Sequence, residues 1–225
     1  MMEYHKIQTV FKRDPETNNK NLLEGEYSLP EFKYLEENNW VYTEKVDGTN
    51  IRVEFDGSDI DFGGKTDRAE IPGALLTRLN YLFASKIDLF KTIFPEKPNN
   101  EGIVIYPEVC LYGEGHGAKI QKGGGNYSPT QDFVLFDVRI GHWWLKREDV
   151  EDIASKFDIG IVPIIGIGTL FNMVEMTREG FKSRWGDFIA EGIVARPEVE
   201  LKTRSGHRVI TKIKYKDFPR GRSNY

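Results

Sequence analysis

"VYTEKVDGTNIRV", Val41 to Val53, sets a lysine between an apolar strand-like run and an Asp-Gly break, and a second alternating run of Ile51, Val53 and Phe55 follows. Lysines usually lay their stems over apolar surface and keep the ammonium in water. Asp-Gly between two alternating runs is a hairpin signal. The residues by themselves are satisfied by a surface hairpin beginning at Lys45, so the purpose of the lysine has to come from the rest of the chain.

The chain has 225 residues, 39% hydrophobic and 29% charged. That is enough to bury a substantial core, and one domain is the expectation for such a length. Cys110 is the single cysteine, which excludes an internal disulfide and a zinc site of the usual Cys spacing and suits a packing role in a reducing compartment. No apolar run reaches the length of a membrane span, and the N-terminus "MMEYHKIQTVFKRD" is too polar for a signal peptide. The expectation is a soluble, cytoplasmic protein without a membrane partner. The net charge of −4 argues against a general nucleic-acid binder. Charge is unevenly spread, however: Leu201 to Tyr225 holds Lys202, Arg204, Arg208, Lys212, Lys214, Lys216, Arg220 and Arg222 against Asp217 alone. Val209, Ile210, Ile213 and Tyr215 within that run favour ordered structure over a loose tail, making it a candidate phosphate site.

In "SLPEFKYLEENNW", Ser28 and Glu31 make a capping-box pattern, Pro30 suits a first turn, and Phe32 with Leu35 supplies an apolar face, which predicts a helix. The longest helix is expected from about Pro72 to Thr92, with Leu75, Leu76, Leu79, Phe83, Ile87 and Phe90 toward the core. Shorter helices are expected in "REDVEDIASKF" and "TLFNMVEMTREGFKSRW". Strands are expected in "GIVIYPEVCLYGE", "DFVLFDVRI", "IVPIIGI", "FIAEGIVARPEV" and "HRVITKIKYKDF". Clustered strands with helices inserted irregularly point to an α+β fold of largely antiparallel sheets. The glycine-rich loops "DFGGKTDRAEIP" and "YGEGHGAKIQKGGGNYSP" lack the spacings of a Rossmann site or a P-loop.

Several strand ends carry a short polar motif: "EKVDGTN" (Lys45, Asp47, Gly48, Asn50), "LYGEGHG" (Glu114), "FVLFDV" (Phe136, Asp137), "AEGIVAR" (Glu191, Gly192) and "TKIKYKDF" (Lys212, Lys214). In this order they resemble the motifs of the covalent nucleotidyltransferases, the superfamily of polynucleotide ligases and messenger-RNA capping enzymes. The "EKVDGTNIRV" and "YGEGHG" forms most resemble the RNA ligases, among them small phage RNA ligases and kinetoplastid RNA-editing ligases. The resemblance leaves a phage source open.

It implies that Lys45 is the nucleophile, with Lys212, Lys214 and Glu191 catalytic beside it. It also implies that Glu44, Lys45, Asp47, Gly48, Asn50, Lys65, Glu114, Phe136, Glu191, Lys212 and Lys214 surround ATP. A lysine attacking a phosphate must be neutral, against a reference pKa of about 10.4. Nearby cations disfavour the charged form, and Lys212, Lys214 and a bound metal would supply them and offset charge on the departing pyrophosphate. By the same resemblance Glu114 holds the ribose hydroxyls, Glu191 the Mg2+ or Mn2+ environment, and Phe136 stacks on adenine. Phe136 also reads as a plain core aromatic, and the two acids as strand-end surface groups. Asn50 matches a position used in the sealing step. Lys65 stands where the family usually has the arginine of "GGRT", with Arg68 close behind. His116 reads as a solvated loop residue without a catalytic role.

The implied fold is the adenylyltransferase domain: α+β, two packed antiparallel sheets flanked by helices, with the ATP pocket between them. The implied function is ATP-dependent RNA ligation through AMP covalently held by Lys45, acting on RNA ends. Nicked duplex, a broken tRNA loop and an RNA–DNA hybrid are not distinguished. A capping guanylyltransferase using GTP, a DNA ligase, and a non-catalytic RNA-end sensor are the alternatives. With seven residues after Phe218, the expectation is one domain, 1–225, without a separate oligonucleotide-binding module. RNA contacts are then expected from Arg204, Arg208, Lys216, Arg220 and Arg222.

Overall fold

The computed structural model describes residues 3–99 and 101–218; Arg220 and Arg222 lie outside the described residues. The chain divides into two compact units. The first comprises residues 3–5 and 47–162, the second 6–46 and 163–218.

The second unit opens with β1 (Gln8–Thr9), β2 (Phe11–Arg13), β3 (Leu22–Tyr27), α1 (Pro30–Tyr34) and β4 (Trp40–Glu44). The first unit then runs through β5 (Thr49–Phe55), β6 (Ile60–Gly63), α2 (Gly73–Leu79), α3 (Ile87–Ile93), β7 (Lys97–Pro98) and β8 (Val104–Ile105). It continues with β9 (Val109–His116), β10 (Asp132–Ile140), β11 (Trp143–Trp144), α4 (Arg147–Phe157) and β12 (Gly160–Ile161). The chain returns to the second unit with β13 (Ile164–Gly168), α5 (Leu170–Glu179), β14 (Gly192–Pro197) and β15 (Thr211–Lys214). The result is the α+β architecture of largely antiparallel sheets that the strand pattern predicts.

In the first unit the sheet order is β11-β10-β9-β5-β6, with β12 added parallel to β10. Strand alternation sends Ile51, Val53, Phe55, Val109, Leu111, Phe133 and Leu135 to one face, where Leu75, Leu79, Phe83, Phe90 and Phe157 from the helices complete an apolar core. The opposite face receives Asn50 and Arg52 of β5 and Tyr112 and Glu114 of β9. Pairing of β10 with β9 shifts register between Leu135 and Asp137, so Phe136 is the extra residue of a β-bulge and Val138 returns to the core.

The second unit's sheet runs β1-β15-β14-β4-β13, antiparallel except for the β1–β15 pair. Trp40, Tyr42, Ile193, Ala195 and Ile213 from this sheet pack with Leu170, Met173 and Val174 of α5.

The stretch from Val41 to Val53 is not a hairpin. β4 lies between β14 and β13, and β5 lies between β9 and β6, so the chain leaves one sheet at Lys45 and enters the other at Thr49. Gly48 serves close packing, because a Cβ there would stand 2.2 Å from Gly115 O. The helix expected over Pro72 to Thr92 is instead α2, a wider π turn over Asn80–Ala84, a break at Ser85, and α3. α4 is longer than either, with 11 residues. Ser28 does not cap α1, whose N-cap is Leu29; its hydroxyl donates to Thr9 O. α5 stops at Gly180, whose φ of +84° ends the helix before "FKSRW". No helix among the described residues is long and apolar enough to cross a membrane.

Candidate active site

Lys45 sits where β4 ends. β14 is flanked by β4 and β15, which sets Gly192 opposite Lys214 and Ile193 opposite Glu44. Lys45 N donates to Gly192 O at 2.9 Å. A Cβ at Gly192 would meet Ile213 O at 2.1 Å, so glycine lets these strands close. That register brings Glu191 between two lysines. Its Oε2 lies 2.6 Å from Lys45 Nζ and its Oε1 2.6 Å from Lys214 Nζ. The side chains of Lys45, Lys214 and Glu191 keep 18%, 21% and 10% of their exposure, so the cluster is sheltered yet open to a ligand. Strand alternation buries Thr211 and Ile213 and turns half-buried Lys212 and Lys214 the other way. Asp217, a residue the sequence analysis left unassigned, accepts from Lys214 N at 2.9 Å and from Arg13 Nη2 at 2.8 Å, which fixes the end of β15.

Glu44 is a correction. It is 1% exposed, and its carboxylate accepts from Ser183 Oγ at 2.5 Å and Arg184 N at 2.8 Å. Burial pushes its pKa up, partly opposed by those donors. Its carboxylate anchors a turn and is already fully engaged there. Arg208 is a second correction: it is 5% exposed and grips Glu200 through Nε at 2.6 Å and Nη2 at 2.7 Å, so it has no face for an RNA backbone. Arg204 and Lys216 are exposed.

In the first unit Asn50 and Glu114 are cross-strand partners, both half-buried. Asn50 Oδ1 is buried without a hydrogen-bond partner among the described residues, an acceptor that a polar ligand would satisfy. Asp47 N donates to the Tyr127 hydroxyl at 3.2 Å, and Gln121 Nε2 donates to Gly48 O at 3.1 Å. Phe136 stands on the bulge, half-buried and outside the apolar core, edge-on to Tyr4 at 5.1 Å. Tyr4 donates to Asp137 Oδ2 at 2.6 Å. Lys65 and Arg68 are both exposed.

Arg52 is a residue the sequence analysis passed over. It is fully buried; Nε donates to Gly64 O at 2.9 Å, Nη2 to Asp67 Oδ1 at 2.8 Å, and Nη1 lies 3.2 Å from Glu54. In the sequence its place between Ile51 and Val53 reads as an ordinary polar position of an alternating strand, so burial of this charge carried no local signal. His116 is buried rather than solvated, and burial pushes its pKa down against the opposing pull of Asp132. Burial pushes the Cys110 thiol up to about 12, which suits the packing role expected of it.

Among the described residues no group of three or more His, Cys, Asp or Glu could hold a metal. Magnesium and manganese bound with nucleotide phosphates need only one or two carboxylates; Glu191 is a carboxylate of the required kind, its two oxygens held here by Lys45 and Lys214.

A family model described as RNA ligase matches residues 38–214, most of the chain. No curated protein sequence gives a significant match. Among solved structures, a Naegleria gruberi RNA ligase with PPi has a TM-score of 0.65 at 16% identity, covering 95% of this chain and 56% of that one. A mutant of that ligase with ATP and Mn has a TM-score of 0.64 at 15% identity over 95% and 56% of the two chains. Another mutant, with AMP and Mn, has 0.61 at 16% identity over 94% and 57%. At these identities the likeness is one of fold, and this chain spans little more than half the length of those ligases. The matched span runs from just before β4 to the end of β15 and contains Lys45, Glu114, Phe136, Glu191, Lys212 and Lys214 in order: the chain belongs to the RNA ligase family.

Proposed function

We propose that the protein joins RNA 3′-hydroxyl and 5′-phosphate ends using ATP, through AMP held covalently on Lys45. The observation that carries this reading is the Lys45–Glu191–Lys214 cluster, with both contacts at 2.6 Å and all three side chains partly open. A fold that merely bound RNA would need no sheltered, ligand-accessible amine beside a carboxylate and a second lysine. The solved relatives with ATP and Mn, and with AMP and Mn, support the choice of nucleotide and metal class.

In the first step the neutral Lys45 amine attacks the α-phosphorus of ATP. An N–P bond forms, the bond to the bridging oxygen of pyrophosphate breaks, and the nitrogen gives up a proton. Lys212 and Lys214 offset charge on the phosphate and the leaving group. In the second, a 5′-phosphate oxygen displaces Lys45 from the AMP phosphorus and restores the amine. In the third, the RNA 3′-hydroxyl attacks the activated 5′-phosphorus, a phosphodiester forms and AMP departs. Glu114 accepts from the ribose hydroxyls and Phe136 stacks on adenine, a contact of roughly 1–3 kcal/mol where such stacking has been measured. Asn50 satisfies its buried oxygen on the substrate in the sealing step. Lys65, with Arg68 behind it, meets the reacting phosphate. A divalent cation at Glu191 would neutralise phosphate charge when bound. Arg204 and Lys216, with Arg220 and Arg222, face the RNA backbone. A reduced, buried Cys110 agrees with a cytoplasmic location.

The test is incubation with α-labelled ATP or GTP and magnesium, followed by denaturing electrophoresis. Label from ATP is expected, lost in Lys45→Ala and Lys45→Arg, since a guanidinium keeps the charge without the nucleophile. Label from GTP alone would place the protein among capping enzymes. Folded protein with no label from either would make it an RNA-end sensor.

A further inference from the structure

The loop between β9 and β10 is built rather than slack. Ile120 packs against the first unit's core, Ala118 N donates to Ser128 O at 3.0 Å, and Gly124 N donates to Gln121 O at 2.9 Å. A Cβ on Gly124 would stand 2.0 Å from Gly117 O, so the loop closes on itself only with glycine there. The same loop is bonded to the Asp47–Gly48 turn, through Gln121 Nε2 to Gly48 O and through Asp47 N to the Tyr127 hydroxyl. With Ile120 turned inward, Lys119 and Lys122 are left exposed. From Gly115 to Gln131 there is no Asp or Glu, in a chain whose net charge is −4.

Strand topology brings a second pair of cations to the same edge. β5 is antiparallel to both β6 and β9, with Arg52 opposite Gly63 and Thr49 opposite Gly115. The loop leaving β6, the turn entering β5 and the loop leaving β9 therefore all emerge from one end of the sheet. The loop after β6 displays Lys65 and Arg68, while Asp67 between them is held by Arg52 at 2.8 Å.

We propose that Lys119 and Lys122 grip backbone phosphates of the RNA strand being joined, on a surface continued by Lys65 and Arg68 toward the reacting phosphate. The inference rests on the reading that RNA is this site's partner, and it names where a strand would lie on the first unit. A polyanion fits this surface better than an isolated acid does: four exposed cations from two loops share one sheet end, and the neighbouring Gly125 has open space around it. The anchoring bonds to Asp47 and Gly48 tie the lysine-bearing loop to the same turn that leads into Asn50.

The experiment compares wild type with the Lys119→Ala/Lys122→Ala double variant in binding a fluorescent, 5′-phosphorylated oligoribonucleotide from about 50 to 200 mM salt. Covalent labelling by α-labelled ATP is followed in parallel. Losing two contacts on a single strand should reduce the slope of log affinity against log salt by about 1.4 and weaken low-salt binding roughly tenfold, with labelling retained. Lys119→Glu/Lys122→Glu should weaken binding further. Unchanged slope and affinity would overturn the surface, and so would labelling that falls in step with binding, which would assign the loop to ATP. If wild type takes no label yet binds RNA in a manner that depends on the two lysines, the Lys45 chemistry fails and the surface stands.

Discussion

Glu191 and Arg52 are both charged, mostly enclosed and ion-paired, yet they answer to different needs. Glu191 has exposure left and holds ammonium groups that a phosphate would compete for. Arg52 is fully enclosed, and its partners belong to the loop carrying Lys65 and Arg68. Arg52→Ala should therefore cost about 3 kcal/mol in urea unfolding, since it removes the guanidinium from buried Gly64 O and from the largely enclosed Glu54 carboxylate. A loss below about 1 kcal/mol would mean that the loop holds itself. Arg52→Lys should recover only part, because an ammonium cannot reproduce the fork. Glu44 gives a pH test. Its carboxyl pKa is raised by burial above the ordinary 4.5, so the folded state holds this proton more tightly than the unfolded state. The stabilisation is complete below pH 4.5 and is lost as pH rises through the folded value. Glu44→Gln, whatever its constant offset from the altered Ser183 and Arg184 bonds, should gain melting temperature relative to wild type as pH rises from about 4 to 7. A gain in the opposite direction would contradict the burial effect. The strand-end placement of Lys45, Glu114 and Glu191 could be read from the sequence, because each closes or edges an apolar run next to a glycine or an Asp-Gly turn. Arg52 and Asp217 could not be read in this way: an arginine between Ile51 and Val53 reads as an ordinary polar position of an alternating strand, and the Arg13 partner of Asp217 is far away in sequence.

At the scale of elements, legibility followed the range of the interactions. β10 matches "DFVLFDVRI" and α4 matches "REDVEDIASKF" to the residue, since strand and helix periods are local properties. The bulge at Phe136 was invisible, because a register shift exists only relative to β9. With Leu135 in the core, Phe136 falls outside it, and the extra residue is what lets Val138 return to the core. The hairpin reading of Val41 to Val53 failed for a similar reason. Both flanks already have two sheet partners each, and the Asp-Gly turn is chosen for its approach to β9. Two glycine substitutions separate packing from flexibility. At Gly48 a new Cβ meets backbone at 2.2 Å, which cannot move without shifting β9, so Gly48→Ala should destabilise by about 1–3 kcal/mol and disturb the Asn50–Glu114 pair. At Gly73, the first residue of α2, there is nothing within 4 Å, so Gly73→Ala should be neutral or stabilising by up to about 1 kcal/mol. Thermal melts of the two variants check this, and a Gly48→Ala protein as stable as wild type would show that the close approach is not a constraint.

For the molecule as a whole the controlling quantity is where positive charge remains exposed on an acidic chain. The basic C-terminal run drew attention in the sequence, but folding divides its members among several tasks. Arg208 is consumed by Glu200, and Lys214 is paired with Glu191. Arg204 and Lys216 stay exposed, as do Lys119 and Lys122 of the other unit. If these, with Arg220 and Arg222, neutralise about three to five phosphates, the slope of log affinity against log salt should be roughly −2 to −4. Raising salt from about 50 to 200 mM then weakens RNA binding by roughly one to two orders of magnitude. Covalent labelling of Lys45 should change much less, because the contacts that Glu191 makes with Lys45 and Lys214 are short and sheltered, where screening is weak. The same charge argument separates the ends of the basic run. Removing Arg220 and Arg222 together should flatten the slope and impair joining while sparing the lysine label. Equal loss of label and joining would assign that segment to the nucleotide instead, and joining that ignores salt would mean the strand is held by contacts other than charge.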